Sequence, residues 1–411
     1  MSPLPSFESR IAFVVELGRR LHEYGTSSQR LEAALQGVSE RLRMACQLWS
    51  NPTGMIVSFS DVGPQGDPTL EVSRIIRLPP GDNHLGRLVD ADAIAEQVLN
   101  GDMDLEAGRE ALRALDQPET RRQRWMMLMA FGVTGACVAG LLRAGFADMV
   151  SAGLVGLLIG LLGDLAQRSQ RFGESFEAVA ALLATVLAGL IGAFIWPISL
   201  QTVVIGALVI LLPGLTLTNA VNELASNHWV SGSARFAGAA TVLMKLAFGA
   251  LVGDQLLALS GIQQLGSGII KTSALVEWLS LPVAGLMFGI LFRAHRRDYP
   301  LVLIAAVIGY STTRFGGSWL GSEIGIFLGG FVISSVSNAY ARWFNRPGAV
   351  MRLPGIILLV PGSVGFRSLS FMFERDFTLG FDTAITLLTV LVSLVAGLLF
   401  GNLLITSRRS L

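Results

Sequence analysis

Charge is scarce in this 411-residue sequence: only 15% of its residues are charged, against 52% that are hydrophobic. A soluble globular chain carries about a quarter charged residues, so the balance excludes that class and points to a membrane protein. Thirty acidic and 31 basic residues leave a net charge of +1, which provides neither a polybasic block for nucleic acid nor an acidic solvating tail. The two cysteines, Cys46 and Cys137, are far apart, which excludes a disulfide framework and a C-x-x-C site. Four scattered histidines (His22, His84, His228, His295) have no metal-ligand spacing. No metal and no cofactor is expected. The G-x-x-x-x-G-K-[ST] loop is missing too, so nothing supports ATP drive. The opening MSPLPSFESRIAFVVELGRR carries an early acid and only a short apolar stretch, unlike a signal peptide.

What is present divides in two. Nearly all polar composition falls before residue 124, and long apolar runs start at Trp125. In the first part, IAFVVELGRRLHEYG has helical apolar spacing and ends at Gly25, a natural left-handed closing residue. Thr26 with Gln29 forms a capping box for TSSQRLEAALQGVSERLRM. NPTGMIVSFSD and TLEVSRIIRL read as a turn and two strands, with Val57 and Phe59 on one face. Pro52-Thr53-Gly54 in that turn serves either as a ligand cradle or as a structural turn. LGRLVDADAIAEQVLNG and LEAGREALRALDQ supply two more helices. Residues 1–120 are therefore expected to form a small soluble α+β domain.

Ten apolar runs follow, near 125–143, 146–165, 176–196, 198–217, 234–256, 274–293, 299–313, 319–341, 353–373 and 382–406. Most reach the ~20 residues that cross ~30 Å of hydrocarbon; the seventh is short. With the N-terminus in the cytoplasm, fourteen arginines, among them Arg121, Arg293, Arg352, Arg408 and Arg409, fall on the cytoplasmic side. Five basic residues (Arg143, Lys271, Arg314, Arg367, Arg375) fall outside, the asymmetry the positive-inside rule expects.

The fourth run breaks at Pro213-Gly214 in ILLPGLTLTNAVNEL, and the ninth at Pro361-Gly362 in LLVPGSVGFRSLSFM. Arg171-Phe172-Gly173 and Arg314-Phe315-Gly316 precede the third run of each set of five. Residues 121–258 and 274–407 are thus expected to be two five-helix repeats, and because five is odd the second is inverted. In such folds the substrate sits near the midplane, at helices interrupted in matching positions. A half-helix starting after each break would offer free N–H groups and a positive dipole end to a carboxylate.

The candidate substrate-binding residues are therefore Pro213, Gly214, Thr216, Thr218, Asn219 and Asn222 in one half, and Pro361, Gly362, Ser363 and Arg367 in the other. Charges within spans tend to line pathways, which makes Asp164, Glu177, Glu223, Glu323 and Lys245 the candidates for proton coupling. Bland alternatives stand beside them. Asp164 with Arg168 is also an i, i+4 ion pair, Glu177 and Glu323 also fit interfacial depth, Lys245 can snorkel, and Thr216 and Thr218 can back-bond to their helix. Ser231, Ser233 and His228 lie close together, but Ser-Gly-Ser is not a nucleophile elbow, and no enzyme activity is expected.

GRRLHEYGTSSQRLEAAL, NPTGMIVSFSD, LLPGLTLTNAVNEL with VSGSARFAGA, and VPGSVGFRSL resemble the bacterial threonine/serine exporter family, over about residues 10 to 405. The resemblance implies a fused form of two membrane proteins: a proton-driven secondary exporter of small amino acids in the inner membrane, with both termini cytoplasmic. A related two-protein pair is associated with succinate, which leaves a small dicarboxylate as the alternative substrate, and a receptor without net flux as another. The expected partners are the amino acid, protons and the lipid bilayer, with room for a homo-oligomer and no nucleic acid. The fold class expected is mainly α: a polytopic membrane protein of about ten helices behind a small α+β domain.

Overall fold

The computed structural model describes residues 5–62, 68–262 and 272–406. Lys271, Arg408 and Arg409 of the charge count lie outside the described residues, as does residue 407 at the end of the second repeat. The chain is mostly helical, with one three-stranded sheet near its N-terminus.

Helix α1 (Phe7–Glu23) starts where the Ser6 side chain accepts the Ser9 N–H, and the chain leaves it through Gly25 at φ +83°, as expected. Helix α2 (Ser28–Arg41) departs from expectation at both ends. Its N-cap is Ser27 and not Thr26, and no side-chain cap bond forms. Its last carbonyls are taken by Arg10, whose Nη1 donates to Leu42 O at 3.0 Å and Arg43 O at 3.2 Å. Arg43 then turns at φ +58°, and Met44 opens a strand that the sequence reading had merged into the helix.

That strand, β1 (Met44–Asn51), pairs antiparallel with β2 (Gly54–Val62), which pairs antiparallel with β3 (Pro68–Arg77). Met55, Val57 and Phe59 of β2 are buried against α1 and α2, while Trp49, Ile56 and Ile75 face outward. The Pro52-Thr53-Gly54 turn is held by Asn51, whose Oδ1 accepts both the N–H and the hydroxyl of Thr53 at 2.9 Å. Its polar groups are thus spent on the hairpin. Helices α3 (Leu85–Asn100) and α4 (Leu105–Ala114) complete this unit, the latter capped by Asp104.

The remaining helices are α5 (Arg121–Leu141), α6 (Phe146–Ala166), α7 (Gln170–Phe194), α8 (Leu200–Leu208), α9 (Gly214–Ala225) and α10 (Trp229–Leu259). Then follow α11 (Ala274–Leu291), α12 (Tyr299–Leu320), α13 (Ser322–Phe344), α14 (Ala349–Ile357), α15 (Gly362–Phe373) and α16 (Phe377–Leu404). Among the described residues, eight stretches are long and apolar enough to cross a membrane: α5, α6, α7, α10, α11, α13, α14 taken with α15, and α16. This is a multi-pass membrane protein. The seventh run is not short: α12 continues through Ser311, Thr312, Thr313 and Arg314 to 22 residues, and that polar stretch keeps it out of the set of eight. Helix α14 starts at Ala349 and passes through Pro354, so Pro354 does not begin a half-helix.

Both expected breaks are present, and they share one backbone conformation: Pro213 lies at φ −79°, ψ 42° and Pro361 at φ −85°, ψ 37°. Arg-Phe-Gly proves a poor marker of equivalence, because Arg171 opens α7 whereas Arg314 lies within α12. Better correspondences lie 150 residues apart. Leu142-Arg143 and Phe292-Arg293 end α5 and α11 with the same geometry, each arginine at positive φ (57° and 51°). Both turns close with a six-residue bond, Ala144 N to Ala139 O at 3.0 Å and Ala294 N to Gly289 O at 2.9 Å. Five residues on, the buried Asp148 and Asp298 each reach across to the loop that precedes a broken helix. Asp148 accepts the Ser199 N–H at 2.7 Å, and Asp298 accepts Arg346 at 2.7 and 3.0 Å.

Candidate functional site

The two breaks touch. A Cβ built on Gly362 would lie 3.1 Å from Leu212 Cβ and 3.3 Å from Gly214 Cα, and one on Gly214 would collide with Val360. Helices α9 and α15 therefore begin side by side, and only glycine lets them come this close. The N–H groups of Leu215, Thr216, Gly362 and Ser363 donate to no described backbone carbonyl. All four residues line a cavity of about 1740 Å³. Free N–H groups of two helix starts, each with its positive dipole end, form a site for an anionic group.

The cavity runs from Asp82, Asn83 and Arg87 in the N-terminal unit down to Tyr310 of α12. Of the residues singled out from the sequence, it gathers Pro213, Gly214, Thr216, Gly362, Ser363, Asp164 and Glu177. Pro361 is buried behind that wall as the cap of α15. The others are elsewhere. Thr218 back-bonds to Gly214 O at 3.1 Å. Asn219 and Asn222 line a separate small cavity. Glu223 is fully buried among Ser28, Ser231 and Arg235, Arg367 keeps a buried Nε without a partner, and Glu323 is exposed in the first turn of α13. Lys245 donates to Glu174 O at 2.7 Å and lies 3.4 Å from Glu177, so Glu177 is paired at the cavity wall. Asp164 is bonded to Arg168 at 2.8 Å while also lining the cavity. Ser231 and His228 do not meet: the serine bonds Glu223 and Ser28, the histidine Glu32.

Sequence reasoning missed the deep end. Glu277 of α11, 2% exposed, takes Arg143 Nε at 2.5 Å on one oxygen and Arg314 Nε at 3.0 Å with the Tyr310 hydroxyl at 2.8 Å on the other. Trp278 stacks on Phe315 beside it. This cluster closes the cavity at the end away from the N-terminal unit. At the opposite end, Arg293 forms an ion contact of 2.5 Å with Glu119, ahead of α5. The two pairs are reciprocal: the arginine that follows α5 reaches the start of α11, and the arginine that follows α11 reaches the start of α5. An arginine in the left-handed region costs about 1 kcal/mol relative to glycine, which marks both positions as held for their side chains. The signal was present in the sequence as Leu141-Leu142-Arg143-Ala144 and Leu291-Phe292-Arg293-Ala294.

Comparison with known proteins fits this architecture. The family described as "Putative threonine/serine exporter" matches residues 12–257, and one described as "Threonine/Serine exporter, ThrE" matches residues 277–404. The chain belongs to the threonine/serine exporter family. Its two matched regions meet between α10 and α11, as in a fused two-part member. Among curated proteins, an uncharacterized protein of Schizosaccharomyces pombe is 25% identical over 390 residues, covering 92% of this chain and 46% of that protein. Pheromone-regulated membrane protein 10 of Debaryomyces hansenii is 26% identical, covering 87% and 36%, and that of Eremothecium gossypii 26% identical, covering 87% and 49%. The chain spans less than half the length of these relatives. No solved structure matches it.

In this exporter-family chain the N-terminal unit is fastened to both sets of helices. On one side, Glu223 accepts the Ser28 N–H at 2.9 Å, the Ser231 hydroxyl at 2.7 Å and Arg235 Nε at 3.0 Å. Truncating one member of a buried charge network costs about 3–5 kcal/mol when its partner is left unpaired. Glu223→Ala is therefore expected to free the unit, read as faster proteolysis in the 115–120 connection; unchanged cleavage would remove Glu223 from that role.

On the other side, the Leu85 and Gly86 N–H groups donate to Phe292 O and Arg293 O at 2.9 and 3.1 Å, and His295 bonds Asp90 at 2.9 Å. The Asp90 hydrogen bond raises the His295 pKa against the opposing effect of burial. Its contribution is then complete below the unfolded value of about 6.5 and is lost as pH rises through the raised folded value. His84 runs the other way: burial holds it down at about 4, so its contribution fades as pH falls below about 6.5. The stability difference between the native chain and His295→Gln should accordingly shrink from pH 6 to pH 8. A difference that is flat across this range would show that His295 does not titrate against Asp90.

Proposed function

We propose that this chain is a secondary-active exporter of threonine and serine, coupled to protons, that works by alternating access in a bacterial inner membrane. The observation that carries the proposal is the meeting of two helix starts at Gly214 and Gly362, with four free N–H groups on the cavity wall. They would hold the substrate carboxylate. Thr216 and Ser363 stand beside them for the remaining polar groups, and Glu177 and Asp164 are the acids near enough to exchange protons with the cavity.

Residues 121–258 and 274–407 act in this proposal as two five-helix halves of opposite orientation. Ten passes result when the broken pairs α8–α9 and α14–α15 each count as one and α12 is included. The matching prolines, the two left-handed arginines and the paired Asp148 and Asp298 support that relation. With the 1–120 domain and the C-terminus in the cytoplasm, the cavity opens inward and the Glu277 cluster closes the outer end. Arg293 with Glu119 would close the inner end when the halves exchange roles.

Proteoliposomes with an imposed pH gradient test the proposal. Labelled threonine or serine should accumulate faster with the gradient than without it. Flux of succinate and not of threonine would overturn the substrate, and flux of threonine indifferent to the gradient would overturn the coupling. Saturable binding without flux of any of them would overturn transport.

A further inference from the structure

A second cavity, enclosed and of about 50 Å³, lies where the N-terminal unit meets α9 and α14. Arg30 of α2 and Arg352 of α14 both line it, together with Tyr24, Thr26, Asn219 and Asn222, and no aspartate or glutamate does. Arg352 spends Nη2 on neutral acceptors, Asn402 at 2.7 Å, Asn338 at 3.1 Å and Ser334 at 3.3 Å, and its buried Nε has no partner. The Arg30 side chain has no hydrogen bond or ion pair among the described residues. The charge of Arg30 acts directly on Arg352. Two further donors are idle: the Tyr24 hydroxyl, in a residue 4% exposed, and the Thr26 hydroxyl, in one 9% exposed, are buried and unbonded.

Guanidinium groups do not give up their proton in proteins, and burial lowers Arg30 only to about 10, so it stays charged at neutral pH. Two like charges in a water-poor space, ringed by donors and lacking an acceptor of opposite sign, are a costly arrangement for a folded chain. Everything missing there is supplied by one negative ion.

We propose that this cavity is a binding site for a small inorganic monoanion, held between Arg30 and Arg352 and completed by the hydroxyls of Tyr24 and Thr26 and the amides of Asn219 and Asn222. A cavity needs about 10–15 Å³ by this measure to hold one water, so the space admits chloride, bromide or nitrate but not a whole amino acid. The ion would join three parts: α2 of the N-terminal unit, α14, and α9, the half-helix that begins at the cavity wall. It is a different site from the one at Gly214 and Gly362 and does not depend on what is transported.

Thermal unfolding of the detergent-purified full chain tests the site, with gluconate, too large to enter, exchanged for chloride, bromide or nitrate at fixed ionic strength. The midpoint should rise saturably by a few degrees with each small anion, as linkage requires of a ligand that binds only the folded state. Arg30→Gln should abolish that response, and in gluconate it should unfold no lower than the native chain, because it removes an unpaired buried charge. Thr26→Val should weaken the response without abolishing it. Equal midpoints in gluconate and chloride would overturn the proposal. So would a full response in Arg30→Gln, or an Arg30→Gln chain that unfolds lower in both salts by the same amount, which is the mark of a packing residue only.

Discussion

Gly362→Val is expected to lower transport by about tenfold or more while the chain remains folded in the membrane. A valine there must displace Leu212, 3.1 Å from its Cβ, and the backbone of Gly214, 3.3 Å away. Overpacking of this kind costs about 1–3 kcal/mol, taken up by backbone shifts. Here the shift separates the starts of α9 and α15. Four N–H groups that converge on one carboxylate would then point at two places, and a misplacement of about 1 Å costs about a hundredfold in a preorganised site. Gly238 in α10 is the control, because a Cβ at that position meets nothing within 4 Å. Gly238→Val should transport near the native rate. If Gly362→Val did so as well, the contact between the breaks would have no part in transport.

Glu277→Gln should open the far end of the cavity. The carboxylate is 2% exposed and carries the whole closure: two arginines and the Tyr310 hydroxyl converge on it. Arg143 and Arg314 are 39% and 46% exposed, so water recovers part of what they lose, and we expect about 1–2 kcal/mol where a fully buried pair would give more. That corresponds to about a 5- to 30-fold rise in the population open at this end. The readout is a cysteine at Ser363 on the cavity wall, in a background where Cys46 and Cys137 are replaced. An impermeant thiol reagent added opposite the N-terminal unit should label it faster by that factor in Glu277→Gln. Equal labelling in both backgrounds would mean that Glu277 does not gate the cavity.

The apolar runs and the two Pro-Gly breaks were legible because length and proline chemistry leave few alternatives in a bilayer. Where a polar stretch ended an apolar run, the reading failed: α12 continues through Ser311 to Arg314 because those residues face the Glu277 cluster, and no local pattern announces that. Strand β1 was hidden for a similar reason. Its helix-like approach through SERLRM is ended by Arg10, 33 residues upstream of Arg43, and not by a glycine or proline. For the site, the breaks and their neighbours Thr216 and Ser363 could be read from sequence. Asn219, Asn222 and Glu223 could not be separated from them, since one turn of helix carries these side chains away from the cavity toward the N-terminal unit. Ion pairs such as Arg143 with Glu277, 134 residues apart, are visible only once the helices are packed.

The N-terminal unit grips α9 and α10 through Ser28 and the α11–α12 connection through Leu85, Gly86 and Asp90. If the helices on the two sides rock against one another, it cannot follow both. It is a stay across a hinge, and the distance it allows between Glu223 and Phe292 limits how far the hinge can swing before one of its moorings must part.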